Sequence, residues 1–248
     1  MDVMAAGIAD LPFTVTALAL VAILASFTLS ASAGLGGSLI LVPTLALILG
    51  TKQGVALAAL LLAGNNVIKV VAYRKTLPYR KSAWILVAIT LGAALGAQLL
   101  VTAPVGAVTV AVIAAFIGSM LTERLHLAWF RRLTAPVLAF TSGATSGFSG
   151  TSGPLKGVAI RHLEVDRYHF VGAASLASLV GDLTKTAVFA QGSLLGPNEV
   201  TVAVIAVPLM IIGTVSGRWI NSEIGERGYT TLFWGVIAGY SGRLVLGL

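Results

Sequence analysis

The sequence has no cysteine, three histidines, and only 10% charged residues. Without cysteine there can be no disulfide, thiolate metal site or thiol relay. His126, His162 and His169 all fall in or beside basic loops, so no imidazole is placed to act as ligand or base inside an apolar segment. The low charge content, against roughly 25% in soluble domains, comes with 57% hydrophobic residues and a mean hydropathy of +0.95. Together these predict an all-α integral membrane protein. At ~20 apolar residues per spanning helix, the chain has room for about eight to ten membrane segments. It therefore reads as one transmembrane domain over residues 1–248, bound to the lipid bilayer, with no metal site and no cofactor.

Acidic residues are also scarce, nine against sixteen basic, which gives a net charge of +7. The excess is gathered between apolar stretches: Arg74, Lys75, Arg80 and Lys81; Arg124, Arg131 and Arg132; Arg161 and Arg167; Arg218 and Arg227. Basic loops in such a chain read as cytoplasmic, not as a nucleic-acid surface. Lys52 and Arg243 are the main exceptions. The opening MDVMAAGIADLP has two Asp and no basic residue, which predicts an uncleaved first helix with its N-terminus outside. A multi-pass protein of the cell (inner) membrane, with both termini outside, is the resulting expectation.

Apolar segments lie at about 12–33, 37–50, 54–74, 82–101, 104–121, 134–148, 152–163, 168–190, 199–220 and 229–247. The second and seventh are too short to cross a ~30 Å hydrocarbon core, and each follows a Gly/Ser-rich break. FTLSASAGLGGSLIL from Phe27 superposes on FTSGATSGFSGTSGPL from Phe140, pairing Gly34 with Gly147 and Gly37 with Gly150. After a three-residue slip, GNNVIKVVAY matches VGDLTKTAVF, pairing Asn66 with Asp182 and Lys69 with Lys185; GAALG at Gly92 then matches GTVSG at Gly213. This ordered recurrence predicts two repeats of five segments, about 12–121 and 134–247. The basic loop RKTLPYRK and its counterpart QGSLLGPNE, which has no basic residue, place equivalent loops on opposite sides of the membrane. Inverted-topology repeats follow, with short and broken helices at their interface.

Irregular backbone at membrane depth survives only where protein or a wet cavity surrounds it. The exposed N–H groups of a broken helix carry partial positive charge and, with neighbouring hydroxyls, form an anion site. Gly34, Gly36, Gly37 and Ser38 in one half, with Ser149, Gly150, Thr151 and Ser152 in the other, are the predicted cradle; close helix packing is the plainer use of such glycines. GAALG and GTVSG are assigned to packing. Asn66, Lys69 and Lys185 join the candidates because ionisable groups inside the bilayer face a cavity or a partner. For Lys69 the alternative is snorkelling toward the surface, and for Lys185 it is neutralisation by Asp182 one turn away. Asp182 is the candidate proton carrier, or else half of a structural ion pair. Lys156 ranks behind these, as a ligand contact or a surface-reaching side chain.

GFSG at 147–150 resembles the motif of rhomboid intramembrane proteases but has no histidine base nearby. GTSGPLKG lacks the glycine before lysine that a P-loop needs. Neither supports an enzyme.

GLGGSLILVP at 34–43, its echo GFSGTSGP at 147–154 and the duplicated halves resemble the TauE/SafE sulfite exporter family, also called TSUP, over essentially the whole chain. The resemblance implies a secondary carrier of small sulfur-containing anions such as sulfite, sulfoacetate or other organosulfonates, exporting them by alternating access. Ser38 departs from a motif richer in glycine. A passive small-anion channel, and a membrane binding or assembly protein without a transport cycle, are the competing readings.

Overall fold

A computed structural model describes residues 13–34, 36–124 and 135–223. The segment at 229–247 lies outside these, as do His126, Arg131, Arg132, Arg227 and Arg243. The described chain is helical: α1 (Phe13–Ala33), α2 (Gly37–Leu49), α3 (Thr51–Ala72), α4 (Tyr79–Thr102), α5 (Val105–Arg124), α6 (Ala135–Ser149), α7 (Gly153–Arg161), α8 (Arg167–Gln191), α9 (Pro197–Ile205) and α10 (Val207–Glu223). Each expected apolar segment within the described residues forms a helix, and the ninth is split between α9 and α10. The helices α3 and α4 are each long and apolar enough to cross a membrane, and α9 with α10, bent by 44°, makes a third if taken as one broken span. At 13 and 9 residues, α2 and α7 extend only roughly 20 and 14 Å.

The polar stretch at 140–149 is itself helix, forming most of α6, so the second break is confined to 150–152. Its glycines serve contact. A Cβ at Gly143 or Gly147 would strike the backbone of α4 at Ile89 or Ala93, and one at Gly92 or Gly96 would strike Phe140 or Ala144 of α6. Helix α10 does the same to α1, where Gly213 faces Phe27 and Gly217 faces Thr28 and Ala31. The packing assigned to GAALG and GTVSG is thus realised, each from an opposite half of the sequence.

These matches correct the register of the internal recurrence. Gly34 and Gly150, 116 positions apart, both have φ of +79°, a left-handed conformation open to glycine at little cost. A Cβ on Gly34 would meet Val171 of α8, and one on Gly150 would meet Val55 of α3, again 116 apart. The starts of α2 and α7, and of α3 and α8, share that offset. Gly34 therefore corresponds to Gly150, not Gly147, and no slip is needed before Asn66 and Asp182. The slip arose because Phe140 and Gly147 match letters, whereas backbone conformation and contacts recur at the other offset.

Two apolar clusters flank the centre. One joins Phe27, Leu41, Leu57, Leu61, Leu100 and Phe189, the other Ile85, Leu138, Ile160 and Val171. Depth along α8 can be read from its neighbours. Gly172 packs on Thr76 at the basic end of the molecule, and Gly192 on Val101 at the other. Asp182 is ten residues from each, roughly 15 Å along the helix in both directions. Lys52, which looked out of place as a cation away from the basic side, donates to the Val101 carbonyl at 2.9 Å. There it satisfies one of the bare carbonyls that end α4.

Candidate anion site between the helix breaks

At that middle depth the two breaks meet. Ser38 at the start of α2 donates to the Thr151 hydroxyl at 3.3 Å. Around this contact lie two small cavities, of about 20 Å³ and 10 Å³, that share Ser146, Lys156, Ser178 and Asp182. The larger is completed by Ser30, Gly34, Gly36, Gly37, Ser38, Leu62 and Asn66, the smaller by Ser142, Ser152 and others.

The predicted residues divide into four groups. Gly34, Gly36, Gly37, Ser38, Asn66, Ser152, Lys156 and Asp182 line cavity wall. Thr151 is buried behind Ser38. Ser149 and Gly150 do not line the cavities: Ser149 donates to the Thr145 carbonyl at 2.7 Å, and Gly150 turns toward Val42 and Val55. Their role is to end α6 and turn the chain. Lys69 and Lys185 also stand one layer out. Both are fully buried, which removes the snorkelling alternative for Lys69. Lys156 moves forward, since it borders both cavities.

Sequence reasoning missed the serines. Lys69 Nζ donates to Ser30 Oγ at 2.9 Å, Lys185 Nζ to Ser146 Oγ at 3.0 Å, and Lys156 Nζ to Ser178 Oγ at 2.8 Å. An ammonium has only donors, so each serine oxygen must accept and keep its own proton for another acceptor. Among the described residues none is provided: unlike Ser149 or Ser175, these three do not donate to a carbonyl of their own helix. All three line cavity wall. The signal that could have found two of them is the 39-residue spacing common to Ser30–Lys69 and Ser146–Lys185, hidden by the wrong register.

Asp182 accepts from Lys185 at 2.7 Å and from the Asn66 amide at 2.7 Å. The expected i,i+3 ion pair is present. Asn66, matched to Asp182 in the sequence, is a direct partner, and its Oδ1 is buried without a hydrogen bond. Among the described residues, three lysines and one carboxylate thus surround a space lined by hydroxyls. With all three lysines protonated, two positive charges stand without a carboxylate in a setting where an unpaired charge is expensive. A small anion would balance it.

A search of protein-family models agrees on the class. The sulfite exporter TauE/SafE model matches residues 18–244. The chain belongs to the sulfite exporter TauE/SafE family. No curated protein and no solved structure matches it. Family membership places this TauE/SafE protein among membrane transporters for sulfur-containing anions such as sulfite, a class in which enzymatic activity is not the expectation. Its match runs through both breaks and all three Ser–Lys pairs, so the family assignment and the site concern the same part of the chain.

Proposed function

We propose that this TauE/SafE protein is a secondary-active carrier that exports sulfite or a small organosulfonate by alternating access, with the serine-lined cavity as its substrate site. The observation that carries the reading is the trio of lysines, Lys69 and Lys185 buried and Lys156 half-buried, each hydrogen-bonded to a serine that lines the space between the breaks. A sulfonate or sulfite accepts several hydrogen bonds at its oxygens, and three hydroxyls with the break amides supply donors in number.

Placing charge behind hydroxyls has a kinetic use. In direct contact a lysine and an anion in a low-dielectric interior attract strongly, and conduction demands binding weak enough to release. A serine between them conveys part of the positive field while the ion pair itself never forms. Asp182 sits where the incoming anion would be attracted and already satisfies Lys185. Substrate and ionised Asp182 repel one another, so protonation of Asp182 would favour loading and its ionisation would favour release. That antagonism is the proposed coupling: the proton and the anion load together and cross in the same direction, so a proton gradient drives the anion toward its alkaline side, and export follows the anion's own outward electrochemical gradient with a proton carried along.

The proposed architecture is a pair of inverted repeats, supported by the 116-residue recurrence of glycine conformation, Ser–Lys spacing and helix starts. The exchange of neighbours, α4 with α6 and α10 with α1, supports the same arrangement. Rocking of one half against the other would open the cavity alternately. Its volume of about 20 Å³, near that of one water, supports a carrier in a closed form over a standing channel. Proteoliposome flux tests this: a carrier saturates with sulfite concentration and responds to an imposed proton gradient. Current rising in proportion to driving force would establish a channel instead.

A further inference from the structure

A third, larger cavity lies at the basic end of the molecule and shares no lining residue with the two small ones. Its volume is about 510 Å³, between the end of α3 and the end of α10. One wall is apolar and faces outward: Val71, Val215 and Trp219 are 58%, 62% and 65% exposed. The end nearest the loops is basic and polar, with Lys75, Arg218, Thr76 and Ser222. Arg218 stacks over the Tyr73 ring at 5.8 Å, within cation–π range, which holds its guanidinium at the mouth of the cavity. Among the described residues neither Lys75 nor Arg218 has a carboxylate partner. Asn221 Oδ1 faces this region buried and without a hydrogen bond.

An open apolar groove capped by cations matches the two parts of a phospholipid. Trp219 and Tyr168, which both line it, are of the ring type that concentrates at headgroup depth. We propose that this groove is a binding site for one anionic phospholipid, its acyl chain along Val71, Val215 and Trp219 and its phosphodiester between Lys75 and Arg218. Basic pockets between membrane helices are a known means of holding acidic headgroups. The occupant is a lipid and not the transported anion, because most of the wall is apolar and opens sideways.

Native mass spectrometry of the purified full chain in detergent tests this, with phosphatidylglycerol and phosphatidylcholine as probes. The wild type retains one more phosphatidylglycerol than phosphatidylcholine. Affinity for that lipid falls roughly fivefold in Lys75→Gln and roughly thirtyfold in Lys75→Gln with Arg218→Gln, from about one unit of headgroup attraction per basic residue. Arg218→Lys keeps the charge and most of the binding. Lys75 is an exposed residue of the short 3-10 turn Arg74–Thr76 between α3 and α4, so the single variant serves if the double variant does not fold. Equal retention of the two lipids, or equal retention by wild type and Lys75→Gln, overturns the proposal. Displacement of the lipid by millimolar sulfite or phosphate alone would also overturn it, by making the site one for free oxyanions.

Discussion

At the scale of single residues, the serines between lysine and cavity are the sharpest test. Ser30→Ala and Ser146→Ala each remove one donor to the anion and leave a buried ammonium short of a partner. Hydrogen bonds to charged groups contribute about 1.5–3 kcal/mol, so sulfite affinity should fall roughly 10- to 100-fold, read by titration. Unaltered affinity in both would remove the serines from the site. Asp182→Asn should abolish the proton dependence of sulfite flux and leave Lys185 buried without its counter-charge. Breaking a buried pair typically costs about 3–5 kcal/mol, so a lower melting temperature should accompany the flat pH profile. A profile matching wild type would retire Asp182 as the coupling group.

At the scale of elements, helix ends and helix contacts carry the argument. Asp166 caps α8, accepting from the backbone N–H groups of Tyr168 and His169 at 2.9 and 3.0 Å. Its pKa lies below the usual carboxylate value, chiefly through the His169 N–H. A depressed folded-state pKa adds stability above the unfolded value, lost as pH falls through the folded one. The group is largely exposed, so solvent screening keeps this small. Asp166→Ala should cost about 1 kcal/mol of cap and flatten the acid side of a melting-temperature profile, whereas Asp166→Asn should keep most of the cap. If Asp166→Ala melts like wild type throughout, the cap has no energetic weight. Between helices, Gly96→Leu would force α4 off the α6 backbone. Overpacking of this kind costs about 1–3 kcal/mol or more, and loss of monodisperse protein in size-exclusion chromatography is the expected sign. Gly106, which has open space around it, is the control site for the same substitution.

At the scale of the whole molecule, the proposed alternating access requires the halves to part at the contact of the two breaks. The absence of cysteine makes that movement testable with a pair introduced at Ser38 and Thr151, whose hydroxyls are 3.3 Å apart. Oxidised Ser38→Cys with Thr151→Cys should lose sulfite flux, and reduction should restore it. Full flux through the oxidised protein would mean that the breaks do not separate during the cycle. A thermal-shift panel of sulfite, sulfate, thiosulfate, sulfoacetate and taurine would rank the ligands, since each stabilises the form it binds.

Much of this was legible from residues alone. The apolar runs fixed the helices within a few positions, because a chain with unpaired backbone groups in lipid has few alternatives to helix. The brevity of α2 and α7, the lysines at depth and the Asp182–Lys185 pair followed from spacing along one helix, where i,i+3 neighbours must meet. Contacts between distant segments did not follow. That Asn66 binds Asp182, that Lys156 reaches Ser178 across from another helix, and that Lys69 is screened from the cavity by Ser30 depend on how α1, α3, α7 and α8 cross. Letter matching misaligned the two breaks by three residues for the same reason: glycine in α6 and glycine at position 150 look alike in sequence. Only packing separates the glycine that lets two helices touch from the one whose left-handed backbone turns the chain.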